Sequence, residues 1–214
     1  SVCHSLTDQH KGKTIFELMN EFHIPMKETI NKSIGEQIIV KMFGGKSKKM
    51  QNIDLFIKAG IIGKTITLTD KGMRKEDMKL FNIDFGEFIN DIEFEDSQFY
   101  DYFSNNQFLC IIFQQPYKNA AMLDYNFLGF KRISFDEDLI GGDVKRCWED
   151  IKFKIINKKL KDVPKIDKYG NFKKNKAGNI ISAPNFPKSS ESNVFVRGSG
   201  KDSNFKPLII NEIP

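Results

Sequence analysis

The apolar run FLCIIF, residues 108–113, constrains the fold more strongly than any other part of the chain. Continuous apolar runs of this length are typical of a buried strand in the middle of a sheet. After a polar break, the stretch YNFLGFKRISF at residues 125–135 predicts its antiparallel neighbour. We therefore expect a sheet whose central strand is covered on both faces.

Two helices are expected ahead of the first strand. In KTIFELMNEF, Thr14 and Glu17 have the spacing of a capping box, and the apolar residues that follow lie on one helical stripe. In SIGEQIIVKMFGG, Ser33 and Glu36 have the same spacing, and the glycine pair that starts at Gly44 predicts the helix end. Two helices are therefore expected to precede the first strand.

The remaining elements are predicted from periodicity and from glycine and proline. Two glycines and a capping Asp143 predict a helix from about residue 143 to 161, with Trp148 on its buried stripe. We identify no internal repeat. The other expected elements are strands at 52–58 and 62–69, a short helix in SQFYDYFSN, a loop from 162 to 191 and a last strand in SNVFVRGS.

Together these elements predict an α+β fold, with a mixed, mostly antiparallel central sheet flanked by helices. The chain has 214 residues, 40% of them hydrophobic, enough for one large domain, and we expect a single domain over residues 1–214. Because it begins with Ser1 rather than Met, we expect a piece of a longer protein.

The cysteines and histidines give no sign of a metal site. Three cysteines without metal-like spacing are typical of a reducing compartment, and with no signal peptide or membrane-length apolar run we expect a cytoplasmic protein. Cys110 and Cys147 are predicted in the core. His4, His10 and His23 are predicted at the surface.

Charge is distributed unevenly along the chain. Residues 83–105 carry seven acids and no Lys or Arg, whereas residues 152–176 carry ten lysines against Asp162 and Asp167. A basic segment of this kind suits phosphate contacts in nucleic acid, although a solvated lysine-rich surface has the same composition.

The stretch NIDLFIKAGIIGKTITLT, residues 52–69, resembles the acid-bearing and lysine-bearing strands of a metal-dependent nuclease. Such a site uses converging carboxylates to hold Mg²⁺ and a lysine near the attacking water. Asp54 and Lys64 occupy the positions of the first acid and the lysine, but Ile62 stands where the second acid is needed. Acid-x-lysine triplets elsewhere, such as Asp77-Met-Lys79, occur as often as chance predicts.

The order of motifs over roughly residues 12–205 resembles the MutH-type endonuclease family. SIGEQIIVKMFGG is similar to the family's glycine-bearing helix, and CWEDIK to its Trp-acid helix. VFVRGSGKDSN is similar to its arginine-containing strand and DNA-contacting loop. The resemblance is most specific to the degenerate C-terminal domain of GATC-specific type II restriction endonucleases.

This resemblance implies a restriction-endonuclease-like fold and a set of site residues. Asp54 matches the family's first metal-binding acid and Lys64 its lysine, while Ile62 stands in the place of the catalytic glutamate. A further glutamate of the family would fall near Ile39, one helical turn after Glu36. No metal is expected here. The expected DNA-binding residues are Arg197, Ser199, Lys201, Asn204, Lys173, Lys174, Lys176, Lys46, Lys48 and Lys49.

The resemblance also implies a role. The domain would bind GATC in double-stranded DNA and act as an allosteric effector of a separate catalytic MutH-like domain in a longer bacterial chain, with self-association on DNA. It would need no cofactor itself, whereas the parent hydrolase would use Mg²⁺. Two alternatives stay open: a weak Mg²⁺-dependent nuclease site built from Asp54, Lys64 and Glu36, and a protein-interaction module whose acidic segment 83–105 docks on a basic partner.

Overall fold

The computed structural model describes residues 1–31, 33–90, 92–176 and 178–197. The helices are α1 (Val2–His10), α2 (Ile15–Glu21), α3 (Ile34–Met42), α4 (Asp54–Ala59), α5 (Gln98–Asn105), α6 (Glu137–Leu139) and α7 (Lys145–Ile156). The strands are β1 (Ile61–Leu68), β2 (Gln107–Gln114), β3 (Asn126–Ile133), β4 (Asp162–Pro164) and β5 (Ser182–Pro184).

The main sheet has the order β1-β2-β3, with β1 and β2 parallel and β2 and β3 antiparallel. The predicted central strand is confirmed, because β2 pairs on both sides and Phe108 and Ile111 are fully buried. The α+β class and the mixed sheet are confirmed as well. A bulge between Ile112 and Phe113 shifts the register, so that Gly129 pairs with Ile112 and Phe127 with Phe113.

The chain divides into two compact units by its internal contacts. The first joins Ser1–Phe81 to Asn105–Ser134 and contains the main sheet, and the second joins Asn82–Ser104 to the chain from Phe135 onward. Compact units of one chain need not be independent domains, so the single domain stays a prediction. No helix in the described ranges is long and apolar enough to cross a bilayer. The cytoplasmic location also stays a prediction.

The helix caps follow the sequence at α2 and depart from it at α3. The capping box of α2 is confirmed: Glu17 N–H donates to Thr14 Oγ1 at 3.1 Å, and Thr14 N–H donates to Glu17 Oε2 at 2.8 Å. The box expected at α3 is wrong, since the Ser33 side chain caps nothing and Glu36 accepts a hydrogen bond from Met50 N–H instead. Gly44, with φ +70°, follows the end of α3 as predicted.

The strand expected over 52–58 is wrong, because residues Asp54–Ala59 form helix α4. Ile53 and Phe56 are the buried residues of this stretch, and their spacing of three fits a helix rather than a strand. Gly60 closes the helix in the left-handed conformation at φ 60°. The strand expected over 62–69 is confirmed as β1.

The helix around Trp148 begins earlier than predicted. Asp136, not Asp143, is its N-cap and accepts a hydrogen bond from Leu139 N–H at 2.8 Å. The two glycines expected to break the chain lie inside a π-helical turn, Ile140–Val144, that leads into α7. The helix ends at Ile156 rather than near residue 161.

The second unit has an aromatic core around this helix. The Trp148 ring lies 5.7 Å from the Phe94 ring and 6.1 Å from the Phe88 ring, centroid to centroid. The short helix predicted in SQFYDYFSN is confirmed as α5, which buries Phe99 and Phe103.

The predicted burial of two cysteines is confirmed, and one histidine prediction is wrong. Cys110 and Cys147 are buried as predicted, and burial raises the pKa of the Cys147 thiol to about 12. His10 is buried, not at the surface, and its ring packs 5.4 Å from that of Phe22. His4 and His23 are exposed.

The loop expected from 162 to 191 is wrong over most of its length, because residues 161–185 fold into a small β-structure that we call the lysine ribbon. Strands β4 and β5 pair antiparallel at its base, and single bridges join Ile166 to Phe172 and Lys174 to Ile180. The last strand expected in SNVFVRGS is also wrong over its described part, since residues 192–197 have irregular backbone.

The expectation of no internal repeat is wrong within this ribbon. Residues 165–172 read KIDKYGNF and residues 173–180 read KKNKAGNI, so lysine, lysine, glycine and asparagine recur at the same places with a period of eight. The repetition is also structural, because each copy closes with a glycine at positive φ, Gly170 at +86° and Gly178 at +83°.

Candidate nucleic-acid interface

Asp54 does not occupy the position that a nuclease acid needs. It lies exposed in the first turn of α4, whereas the resemblance required it on a strand beside the lysine strand. An acid in the first turn of a helix interacts favourably with the helix dipole, which accounts for Asp54 without any metal.

Lys64 is on β1, as predicted, but its amine is engaged by backbone. Lys64 Nζ donates to Lys79 O at 2.6 Å and to Leu80 O at 2.9 Å, both in the segment that returns along the edge of β1. Burial, with the nearby charge of Lys79, lowers the pKa of the Lys64 ammonium. The geometry gives Lys64 the role of a clamp that holds segment 79–80 against the strand.

A cleft of about 260 Å³ lies beside this clamp, lined by β1 residues from Lys64 to Thr67 and by Glu76, Asp77 and Lys79. Its acids come from the triplet Asp77-Met-Lys79 and the residue before it, which sequence reasoning set aside as a chance occurrence. The sequence does show an adjacent acid pair at 76–77, but Glu149 and Asp150 form the same pair ahead of Lys152, so this signal alone does not identify the cleft.

Glu36 and Ile62 do not complete a metal site in the first unit. Glu36 accepts from Met50 N–H at 3.0 Å and lies 3.7 Å from the Lys49 ammonium, so it ties α3 to the turn at Met50. Ile62 is half-buried on β1 opposite Phe108. Across the described parts of the chain, no three His, Cys, Asp or Glu side chains form a group that could hold a metal ion.

The predicted phosphate contacts at Lys46, Lys48 and Lys49 lie in the turn after α3. All three are exposed. Lys49 is also the ion-pair partner of Glu36, with a side-chain exposure of 63%, so its contribution to any DNA contact is shared with that pair.

The predicted contacts at Lys173, Lys174 and Lys176 lie on the lysine ribbon in the second unit. All three are exposed. Their backbone is part of the ribbon pairing, because Lys173 N–H donates to Lys165 O at 2.8 Å and Lys174 bridges to Ile180. These lysines therefore stand on ordered backbone and not on a long loop.

Arg197 is exposed near the end of the described chain. The segment before it is held by Asp143, which accepts from Asn193 Nδ2 at 2.7 Å and from the Arg146 guanidinium. These hydrogen bonds lower the pKa of the Asp143 carboxyl, and the one from Arg146 has the largest effect. The other predicted loop contacts, Ser199, Lys201 and Asn204, lie outside the described residues.

The acidic segment 83–105 has internal partners for several of its carboxylates. Asp84 accepts from Gly86 N–H at 2.9 Å, Glu87 from Gln98 N–H at 2.6 Å, and Glu95 pairs with Lys145 at 3.2 Å. Several carboxylates of this segment therefore make contacts within the second unit, whereas the alternative drawn from the sequence assigned the segment to a basic partner.

A comparison with known proteins bears on the function of this site. No family model matches the chain. The chain is similar to the type II restriction enzyme Sau3AI of Staphylococcus aureus. The likeness is 31% identical over 111 residues, and it covers 49% of this chain and 22% of Sau3AI. The chain therefore matches less than a quarter of the length of Sau3AI and is related to a restriction enzyme over about half of its own length.

The clamp at Lys64 gives a stability prediction. Replacing Lys64 with Met removes both hydrogen bonds to segment 79–80 and should lower the free energy of unfolding by about 1 kcal/mol in urea denaturation. Because the folded-state pKa of Lys64 is lowered, the unfolded chain binds more protons between that pKa and the usual 10.5. The wild type should therefore gain stability relative to the variant as the pH rises through that window.

The exposed Lys58 supplies the control. Lys58→Met removes the same charge without a hydrogen bond to segment 79–80 and should change stability by less than about 0.5 kcal/mol. Equal stability of wild type and Lys64→Met would show that the clamp contributes nothing to the fold.

Proposed function

We propose that this chain is a DNA-binding domain of a type II restriction endonuclease whose own nuclease site has degenerated. In the full-length protein it would bind a second copy of GATC in duplex DNA and act as an allosteric effector of a separate catalytic MutH-like domain. The fold would then be a divergent MutH-like one, and self-association on DNA would bring two recognition sites together.

The observation that carries this proposal is the similarity to Sau3AI. In this chain, the residues at the positions that the family resemblance assigns to a nuclease site make other contacts. Lys64 holds backbone carbonyls, Glu36 holds Met50 N–H, and Ile62 supplies no carboxylate. A relative of a restriction enzyme that keeps exposed cations and has no converging acids at these described positions is suited to binding DNA and not to cutting it.

The residues present do not fit a Mg²⁺ site at the positions that the family resemblance assigns. Mg²⁺ in such sites needs carboxylate oxygens that converge on one point. Asp54 projects from an exposed helix turn and Glu36 is committed to Met50 and Lys49. We therefore assign Mg²⁺ to the parent hydrolase and no cofactor to this domain.

The proposed DNA contacts fall into two kinds. Arg197, with Ser199, Lys201 and Asn204, would read base edges or orient the loop on the duplex. The exposed lysines would contact phosphates, which gives affinity and salt dependence without sequence information. Their positions are 46, 48, 49, 173, 174 and 176.

A salt-titrated binding assay tests the proposal. The chain is titrated by fluorescence anisotropy against a short duplex with one GATC site and against a duplex in which that site is scrambled. Each titration is done with and without Mg²⁺, and a denaturing gel shows whether the DNA has been cleaved. We expect tighter binding to the GATC duplex and no cleavage. Arg197→Ala should reduce the preference for GATC by about 1–3 kcal/mol.

Each other outcome favours a different function. Cleavage that requires Mg²⁺ would support the weakly active nuclease and would place its acids elsewhere, with Glu76 and Asp77 in the cleft as the first residues to replace. Absence of binding to both duplexes would support the protein-interaction module, and charge reversal at Glu93 and Glu95 should then abolish its assembly.

The regulatory part of the proposal needs the full-length protein. Allostery is a coupling free energy between two sites, so an effector domain should make cleavage of one site depend on a second site. We expect faster cleavage of a DNA with two GATC sites than of one with a single site. Equal rates would remove the effector role and leave a DNA-binding domain alone.

A further inference from the structure

The lysine ribbon is built from three short segments that pair in a closed cycle. Lys165 N–H donates to Ile181 O, Ile181 N–H donates to Lys173 O, and Lys173 N–H donates to Lys165 O, each at 2.8 Å. Asn185 clamps the base, because its backbone N–H donates to Lys161 O at 2.9 Å and its side chain accepts from Lys161 N–H at 2.9 Å. The segments therefore support two turns on a hydrogen-bonded frame.

The two turns are equivalent in geometry. In the first, Asp167 Oδ1 accepts from Tyr169 N–H at 2.8 Å and from Asn171 N–H at 3.0 Å. In the second, Asn175 Oδ1 accepts from Asn179 N–H at 3.0 Å. Asp167 and Asn175 are half-buried, whereas the lysine that follows each of them is exposed. Each turn thus holds an inward acceptor and an outward lysine in fixed backbone.

The charge of the ribbon is almost entirely positive toward solvent. Its lysines are Lys161, Lys165, Lys168, Lys173, Lys174 and Lys176, all exposed. The two acids of the ribbon have internal partners: Asp167 holds the first turn, and Asp162 accepts from Ser182 Oγ at 2.5 Å. Positive charge on ordered backbone suits a polyanion, since less conformational entropy is lost on binding than from a flexible loop.

Apolar side chains alternate with these lysines. Tyr169 is 75% exposed at the tip of the first turn, with Lys168 Nζ 4.8 Å from its ring centroid, and Phe172 is 56% exposed. Ile166 is 60% exposed. Rings and aliphatic chains set between cations suit sugar and base edges beside a phosphate backbone, where both kinds of contact are needed.

We propose that the lysine ribbon is a nucleic-acid-binding element in which the two repeated turns contact phosphates along one duplex, with Tyr169 placed against the groove edge. This inference rests on the proposed DNA-binding function and goes beyond it, since it assigns the nonspecific affinity to one built element and adds Lys165, Lys168 and Tyr169 to the interface. Lys168 and Lys176 are the equivalent phosphate contacts of the two turns.

The first experiment removes the two equivalent lysines. The double variant Lys168→Ser/Lys176→Ser is titrated against the GATC and scrambled duplexes over a range of salt, beside the control Lys11→Ser/Lys58→Ser, which removes the same charge from exposed positions outside the ribbon. We expect the ribbon variant to bind both duplexes more weakly by the same factor and to lose about 2 from the salt slope. The control should keep the wild-type slope.

The outcomes separate the two proposals. If the wild-type chain binds neither duplex, the DNA-binding function itself fails. If the wild type binds and the ribbon variant matches the control in affinity and slope, the function stands and the ribbon inference is overturned. Tyr169→Ala is expected to weaken binding with the salt slope unchanged, and unchanged affinity would remove Tyr169 from the interface.

The second experiment separates built geometry from charge. Asp167→Asn and Asp167→Ala both remove one negative charge, so simple attraction to DNA would strengthen binding equally in both. Asn keeps the turn acceptor, as Asn175 does in the second turn, and Ala does not. We expect Asp167→Asn to bind at least as tightly as wild type and Asp167→Ala to bind more weakly. Equal strengthening in both would show that the ordered turn has no part in binding.

Discussion

Replacing Phe113 with Ala should destabilise the protein by about 3–5 kcal/mol, the usual cost of removing a large aromatic ring from a well-packed core. Phe113 is 1% exposed in the central strand β2, and its ring lies 5.6 Å from that of Phe127 on β3. On the other side, a Cβ placed on Gly35 would lie 3.3 Å from Phe113 Cε2, so helix α3 approaches the ring closely. The ring therefore joins the helix layer to the sheet.

Chemical denaturation followed by far-UV circular dichroism measures this change. Phe16 provides the matched control because it is 44% exposed in the same unit, and Phe16→Ala should stay within about 0.5 kcal/mol of wild type. A loss below about 1 kcal/mol for Phe113→Ala would mean that the core closes around the cavity. Fluorescence of Trp148, the only tryptophan in the chain, reports unfolding of the second unit in the same experiment.

The parts of the fold that sequence predicts well are those where one strong local pattern decides the structure. The apolar run of β2 can be satisfied only by burial on both faces, and the capping box of α2 specifies its own first turn. Both were predicted with nearly correct ends. The α+β class follows from these elements and needs no knowledge of long-range contacts.

The errors arise where two patterns compete. Residues 52–58 are rich in β-branched and aromatic residues, which favours a strand, but the buried positions Ile53 and Phe56 are three apart and the αL glycine at position 60 ends a helix. Tertiary packing favoured the helix over the strand. The interpretation that placed Asp54 on a strand was therefore wrong. Glycines usually end a helix, and Gly141 and Gly142 were expected to do so. Because the N-cap is Asp136, the helix begins before these glycines and continues through them.

The candidate site was the least predictable part, because its contacts join distant residues. Nothing local in the sequence shows that Lys64 donates to carbonyls fifteen and sixteen residues away. The ribbon repeat was visible in principle, but half of its positions differ between the copies, and only the shared turn geometry shows that the two copies are equivalent. The lysines of the ribbon were nonetheless identified from the sequence, because charged residues can be located without any structure.

Replacing Gly129 with Ala should lower the free energy of unfolding by about 2–5 kcal/mol, because two separate effects add. Gly129 lies beside the β2-β3 bulge with φ +129°, a conformation that residues with a Cβ rarely adopt. A Cβ there would also lie 2.7 Å from Thr7 Cγ2 and 3.0 Å from Thr7 Oγ1, where helix α1 packs against β3. The substitution thus strains the strand and pushes the helix away from the sheet.

A double-mutant cycle separates the steric effect from the backbone effect. Thr7→Ala removes the atoms that the new Cβ would meet, so the double variant Thr7→Ala/Gly129→Ala should recover the steric part and keep the cost of the positive φ. Gly141→Ala is the control substitution: its φ is not positive and a Cβ would meet nothing within 4 Å, so it should be neutral or stabilise by up to about 1 kcal/mol. If Gly129→Ala lowers the free energy of unfolding no more than Gly141→Ala does, then α1 does not pack against the bulge as closely as the structure shows. The bulge in the sheet of the first unit would then not require a glycine.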